Sequence, residues 1–369
     1  MTVRGMLRKS LRPVYRDNPR LRTMLKQADA AVDAVKHAAA GVFPDLIRPD
    51  PRNLFISLTA NCNLRCKGCH YGRDFMPGHQ LEWPIVRDLV DDAKTLGFER
   101  VRLYGGEPLL HKELPRIVSH IAARGLGMWL TTNGVLLERK ADALVEAGLR
   151  EISLGFYGVG DAYDGYVQRP ERFGQLEAGV AYVRRRYGMS IAMHLDWLLM
   201  RPTCNLESLE AMWAFAQRYE TPIYVNLIHY SLPYFVQGRD NELQFRPEDR
   251  PAIETVVERL LQYRSDRPDL ILNSAPGLRS IPDWLIKGPA MRVPCTEYQL
   301  IWVGPDGTVQ MCYVTFELGN LHERRLSELL FTERHRQAAR DAFALNCPNC
   351  HCSYDNRVLR HAPARRRYS

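Results

Sequence analysis

The chain has 369 residues, 46% hydrophobic and 25% charged. That is enough for one large domain plus a smaller one, and too apolar for a disordered chain. The net charge is +8, no run approaches the about 18 apolar residues of a membrane span, and the N-terminus lacks the apolar core of a signal peptide. The nine cysteines sit in metal-like clusters in a long chain, which points to a reducing cytoplasm and not to a secreted disulfide scaffold.

Residues 1–50 read as a basic, helix-forming extension. It carries Arg4, Arg8, Lys9, Arg12, Arg16, Arg20, Arg22, Lys26, Lys36 and Arg48 and ends at Pro44 and the Pro49/Pro51 pair. This segment and the terminal Arg365-Arg366-Arg367 hold much of the basic excess. They form a solvated surface, a peripheral contact with an anionic membrane, or an attraction for an acidic substrate. No recognised nucleic-acid motif is present, so nucleic acid is not an expected partner.

From residue 52 strands and helices alternate. Leu54, Ile56 and Leu58 alternate as a strand should. A helix follows near 82–96, with Trp83, Val86, Leu89, Val90 and Ala93 on one face. Further strands are predicted near 99–104, 126–132, 149–155, 190–198 and 222–229, and helices near 111–124, 138–147, 172–187 and 206–219. Six strands separated by helices argue for parallel βαβ units. The chemistry-bearing groups fall just after strand C-termini, where barrels place their sites. The expected fold is α/β, an open (β/α)6 TIM-like partial barrel over 51–235. A helical and Pro-rich linker follows over 236–290, with a helix near 247–264 and Pro268, Pro276, Pro282, Pro289 and Pro294. A small cysteine-rich module closes the chain over 291–369.

Cys62, Cys66 and Cys69 form C-x3-C-x2-C directly after the first strand. An iron–sulfur cube normally takes four thiolates, so three leave one iron free for another ligand. Zinc fits less well, because no fourth ligand lies at usual finger spacing and His70 and His79 are the nearest. Gly105-Gly106-Glu107-Pro108 follows the second strand, Thr131-Thr132-Asn133-Gly134 the third, and Ile152-Ser153-Leu154 lies in the fourth. Together these stretches resemble the radical S-adenosylmethionine (radical SAM) enzymes over roughly residues 52 to 230.

The resemblance implies a [4Fe–4S] cluster on Cys62, Cys66 and Cys69 that binds SAM. The turn Gly105, Gly106, Glu107 and Pro108 would contact the SAM amino group, and the strand ends with Thr132, Asn133 and Ser153 would face SAM. It also implies an enzyme: reductive cleavage of SAM to a 5′-deoxyadenosyl radical, which abstracts hydrogen from a substrate carbon. The electron would come from a donor such as flavodoxin or ferredoxin. Many members carry an aromatic residue just before the third cysteine. Here it is Gly68, so shielding of adenine would fall to His70 or Tyr71.

Tyr298–Val303 and Thr308–Val314 alternate around Gly304-Pro-Asp-Gly307, a hairpin signal that brings Cys295 and Cys312 to one end. Cys347, Cys350 and Cys352 follow a helix near 326–343. A structural zinc knuckle is one reading. The spacing Cys295-(11 residues)-Gly307-(4 residues)-Cys312 resembles the start of the SPASM/twitch auxiliary-cluster module. A full SPASM module has seven cysteines and two clusters. The five here imply the twitch type, with one auxiliary [4Fe–4S] cluster on Cys295, Cys312, Cys347 and Cys350, and Cys352 free or replacing Cys350.

A free Cys352 beside that cluster would be a hydrogen donor to a substrate radical, giving epimerisation. Electron transfer to the auxiliary cluster would give oxidation instead. Cys204 is the second candidate donor, or a small buried thiol. His194 reads as a core histidine, whereas Asp196, Asn205, Asn226 and His229 lie at or near strand ends. Tyr230, Tyr234 and Phe235 would wall a substrate cavity or belong to the core. Residues 1–50 look too short and helical for a leader-peptide-binding domain. The expected substrate is therefore a small molecule such as a sugar, aminocyclitol or lipid head group, with peptide or RNA modification as alternatives. The alternative of another class is a non-catalytic iron–sulfur electron carrier.

Overall fold

The computed structural model describes residues 34–229, 241–312 and 315–369, with positions 18, 24, 28 and 32 alone before them. Most of the basic 1–50 extension, and Tyr230, Tyr234 and Phe235, lie outside the described residues.

Six strands run parallel in the order 6-5-4-3-2-1: β1 Asn53–Thr59, β2 Arg100–Gly105, β3 Gly127–Thr132, β4 Glu151–Phe156, β5 Ala192–Leu199 and β6 Ile223–Leu227. Between them run α1 Trp83–Leu96, α2 Leu114–Ala123, α3 Leu137–Glu146, α4 Asp161–Val167, α5 Arg172–Tyr187 and α6 Leu206–Arg218. Leu54, Ile56 and Leu58 are fully buried, while Phe55 between them faces the barrel lumen. On α1 the buried residues are Val86, Leu89, Val90 and Ala93, an apolar stripe at helical spacing. The helix stops at Gly97, whose φ of +93° suits glycine.

The short helix α4 escapes the sequence pattern, having only seven residues with a glycine at position 165. It matters because its last turn anchors the cysteine loop. The linker also differs from expectation, with a helix that holds Pro282 in its interior. α7 Arg250–Asp266 is followed by a second full helix, α8 Ala275–Lys287, in the stretch read as Pro-rich. Pro276 sits in its first turn, where no N–H is needed, and the Ser274 hydroxyl accepts from Gly277 N–H at 3.0 Å.

The cysteine-rich module is continuous with the barrel. β7 Leu300–Val303 pairs parallel with β1, from Asn53↔Leu300 to Ile56↔Val303, and β8 Thr308–Met311 and β9 Phe316–Asn320 add antiparallel strands. One nine-stranded sheet results, and β1 is an interior strand instead of an open edge. All four β7 residues are buried, as in a strand covered on both faces, where the sequence suggested alternation.

The predicted helix over 326–343 is two, α9 Leu326–Leu329 and α10 Glu333–Ala344, interrupted at Phe331 with φ of +62°. α11 Tyr354–Arg360 and α12 Ala362–Arg367 end the chain. Buried Asp283 on α8 ties down this tail. It accepts from Tyr368 Oη (2.7 Å), Lys287 Nζ (2.9 Å), Arg367 (2.9 Å) and Arg250 (3.1 Å). Burial opposes its charge, but Tyr368, Lys287 and Arg250 outweigh it and hold the carboxyl at about 2. Among the described residues no helix is long and apolar enough to cross a membrane.

Candidate active site

The cysteine loop leaves β1 at Thr59, and three glycines let other backbone close on it. A Cβ at Gly105, where φ is +141°, would lie 2.4 Å from the Thr59 carbonyl oxygen. At Gly106 it would lie 2.4 Å from that of Asn61, and at Gly72 1.9 Å from that of Ala60. No side chain fits at these positions. The gap is closed by Gly106 N–H donating to Thr59 (2.7 Å) and Glu107 N–H to Asn61 (2.8 Å). Gly105 and Gly106 both line the cavity above, but their first duty is this backbone contact.

Glu107 has no exposed surface. Its carboxylate accepts from Leu109 N–H (3.0 Å), Thr132 Oγ1 (2.7 Å) and Asn133 N–H (2.8 Å), and burial pushes it up to about 7. Glu107 and the buried Pro108 thus brace the wall from behind and do not line the cavity. Thr132 and Asn133 do line it, and Asn133 Nδ2 donates to Asn63 at 2.8 Å.

The far side of the loop is fastened to the end of α4, where Arg65 N–H reaches Val167 (3.1 Å) and Lys67 N–H reaches Tyr166 (2.8 Å). The Arg73 guanidinium donates to the Cys66 carbonyl (3.1 Å) and to that of Cys69. Gly68 has φ of +74°, a backbone in which a bulky aromatic would be strained. Tyr71 lines the cavity with its hydroxyl bonded to Ser57, whereas His70 turns aside to Asp74 at 2.6 Å. Tyr157 and Tyr166, 4.6 Å apart, line the wall beside the cysteines.

Cys62, Cys66 and Cys69 all line this cavity. Burial first, then neighbouring Glu107 and Cys69, push the Cys62 thiol up to about 12, and burial with Cys69 and Cys62 raises Cys66. Three thiolates are stable here only around a cationic centre. Among the described residues no three His, Cys, Asp or Glu side chains close on one point as a single metal ion would require. The donor set, three thiols ringing a cavity wall, suits a multi-iron cluster.

The cavity itself is about 940 Å³ and runs from the three cysteines down the barrel lumen and across to Glu297 and Cys352. Closed barrels fill the lumen with branched apolar side chains; this lumen is polar. Arg102 Nε donates to Thr131 Oγ1 (2.8 Å), Asn226 Nδ2 donates to Asp196 Oδ1 (3.0 Å), and His194 Nε2 lies 3.6 Å from Asp196. His194 therefore lines the lumen and is not the core histidine the sequence suggested. Burial opposes the Asp196 charge, but His194, Arg102 and Ser153 outweigh it and hold the carboxyl below its usual range. Ser153 has no exposed surface and bonds Thr131 (2.6 Å) beneath the lining. His229 lines the cavity. Asn205 instead caps α6, accepting from Ser208 N–H at 2.8 Å. Cys204 is buried outside the cavity, its thiol pushed to about 12 by burial.

All five C-terminal cysteines, Cys295, Cys312, Cys347, Cys350 and Cys352, line one smaller cavity with Arg357. Sequence reading missed Arg357, a fully buried guanidinium that donates to Cys350 (2.7 Å) and Val293 (3.1 Å) carbonyls and to Asn349 Oδ1 (2.9 Å). It supplies a buried positive charge beside the thiols. The Cys352–Cys350 hydrogen bond draws Cys350 down and pushes Cys352 up. Of the five, Cys352 is the one that also lines the large cavity.

Residues 56–196 match the radical SAM superfamily, and residues 295–352 match an iron–sulfur cluster-binding domain, SPASM. The chain carries a radical SAM domain followed by a SPASM domain. Among curated proteins it is similar to a probable GTP 3′,8-cyclase of Methanococcus maripaludis, 36% identical over 174 residues, covering 45% of this chain and 56% of the relative. It is also similar to the GTP 3′,8-cyclase of Aquifex aeolicus, 43% identical over 112 residues, covering 29% and 35%. The chain thus spans about half or less of the length of these relatives.

Among solved structures it resembles anSMEcpe with bound AdoMet and Kp18Cys peptide, with TM-score 0.62, 18% identity, and 79% of this chain and 84% of that one covered. It also resembles Streptococcus suis SuiB bound to precursor peptide SuiA, with TM-score 0.63, 13% identity, and 92% and 76% covered. These likenesses establish the shared fold. As a radical SAM enzyme with a SPASM domain, the protein uses a [4Fe–4S] cluster with SAM and an auxiliary iron–sulfur cluster.

Proposed function

We propose that this radical SAM enzyme abstracts hydrogen from a carbon of a small polar molecule seated in the lumen, and oxidises or epimerises it. Cys62, Cys66 and Cys69 would hold the SAM-binding cluster, with Tyr71, Gly105, Gly106, Thr132 and Asn133 walling the SAM. Cys295, Cys312, Cys347 and Cys350 would hold the auxiliary cluster. When bound, the first cluster and SAM supply hydrogen abstraction from an unactivated carbon. The chain's own residues bind, orient and exclude water. Tyr71, Tyr157 and Tyr166 shield the cysteine end, while Asp196, Asn226, His194 and Arg102 offer acceptors and donors for substrate hydroxyls. The carrying observation is that one cavity is lined by both the three-cysteine loop and Cys352.

Cys352 is the proposed hydrogen donor of the epimerase branch. Its S–H bond breaks homolytically as a substrate C–H forms, and the sulfur then regains an electron from a one-electron donor such as flavodoxin or ferredoxin and a proton from water. Cys352→Ala separates the roles. A donor's loss leaves iron content and 5′-deoxyadenosine formation intact and removes the epimerised product; loss of about half the iron makes Cys352 a ligand.

A peptide side chain reaching into the same cavity is the second reading, favoured by the peptide-bound structural neighbours. Cell extract separated into small-molecule and macromolecular fractions tests the choice. The small-molecule fraction should stimulate 5′-deoxyadenosine formation, and stimulation confined to the macromolecular fraction would overturn the reading.

A further inference from the structure

We infer that the segment preceding the barrel docks this protein on an anionic membrane surface. Ten large hydrophobic residues are exposed among the described residues, and six of them, Met24, Val32, Val35, Val42, Phe43 and Leu46, fall between positions 24 and 46. Val35, Val42 and Phe43 are 71%, 74% and 65% exposed. A segment that merely frayed would have no fixed inner side, but this one does. His37 Nε2 lies 3.0 Å from Tyr298 Oη and its ring 5.1 Å from that of Phe343, Ala40 and Ile47 are buried, and Asp45 pairs with Arg340 at 3.2 Å. Residues 34–46 are therefore held against the auxiliary module with apolar side chains presented outward.

The charge carried by the sequence of residues 1–48, most of which lie outside the described residues, names the occupant. The first 48 residues hold ten Lys and Arg (Arg4 to Arg48) against four acids (Asp17, Asp29, Asp33 and Asp45). Six of the chain's eight net positive charges thus lie there, and two in all that follows. Apolar side chains interspersed with cations complement a bilayer of anionic lipid, which takes the first at the headgroup boundary and pairs the second with phosphate. Nucleic acid would satisfy the cations and leave Val42, Phe43 and Leu46 in water. The inference is independent of which substrate the enzyme uses.

The full chain, anaerobically reconstituted, is co-sedimented with vesicles of phosphatidylcholine alone and with vesicles containing phosphatidylglycerol. Binding should be at least about tenfold stronger to the anionic vesicles and fall steeply with salt, because exposed charges are screened. The triple variant Val42→Ser, Phe43→Ser, Leu46→Ser changes no residue that lines either cavity. It should lose most vesicle binding and keep its iron content and SAM cleavage. Equal binding to neutral and anionic vesicles, no binding to either, or full binding by the triple variant would each overturn the proposal. Selective capture of RNA or of an acidic protein without vesicle binding would transfer the surface to that partner.

Discussion

Glu107→Gln isolates the brace behind the cavity wall. In the native protein one carboxylate accepts three hydrogen bonds, from Leu109, Thr132 and Asn133. Glutamine keeps one acceptor oxygen and turns an amide NH2 toward the remaining donor, so one buried N–H loses its partner at about 1–3 kcal/mol. A pH dependence is superimposed. The carboxyl titrates at about 7 in the fold against an ordinary 4.5, so the folded state takes up its proton first and acidification between these values favours the native protein. Going from about pH 7.5 to about pH 5.5, that linkage adds about 2 kcal/mol to the wild type and nothing to the variant. The gap should therefore widen to about 3–5 kcal/mol at the lower pH. Thermal unfolding of anaerobically reconstituted protein by circular dichroism reads this directly, at about 1–2 °C per kcal/mol for a chain of 369 residues. Equal midpoints at both pH values, or a gap that narrows on acidification, would refute Glu107 as a buried, proton-binding brace.

Three further outcomes follow from the same geometry. Gly106→Ala drives a Cβ to 2.4 Å from the Asn61 carbonyl, so the loop must move. Iron analysis should show loss of the first cluster and SAM binding, with the auxiliary cluster retained. Arg357→Met removes the buried guanidinium beside the five thiols, and the auxiliary iron should be lost while the first cluster stays; normal iron content would deny the cation a role. Asp283→Ala should lower the unfolding midpoint by the equivalent of about 1–3 kcal/mol near neutral pH. The carboxyl titrates at about 2 against an ordinary 3.8, so its stabilisation is complete above 3.8 and lost as pH falls through about 2.

Much of the barrel was legible because most helices carry an apolar stripe and most strands a period of two. Strands β2 to β6 and their helices lie close to the predicted positions. What escaped lacked such a period. α4 is too short, α8 is masked by Pro276 in its first turn and Pro282 in its interior, and the pairing of β7 with β1 depends on partners some 250 positions apart in sequence. The cysteine triads stood out by spacing alone. His194 did not, since alternation tells two faces of a strand apart but does not say that the inner face borders a polar lumen. Arg357 gave no signal either, because burial of a lone arginine depends on backbone carbonyls brought together by the fold.

Two iron–sulfur centres with different jobs are expected to meet at one cavity. Replacing Cys62, Cys66 and Cys69 together by alanine tests this most directly, with iron, zinc and 5′-deoxyadenosine measured on anaerobically reconstituted protein. The wild type should bind about eight irons, and the variant should keep about half of them and form no 5′-deoxyadenosine when reduced with dithionite in the presence of SAM. A variant that still forms 5′-deoxyadenosine, or a wild type that binds stoichiometric zinc with iron for a single cube, would contradict the account.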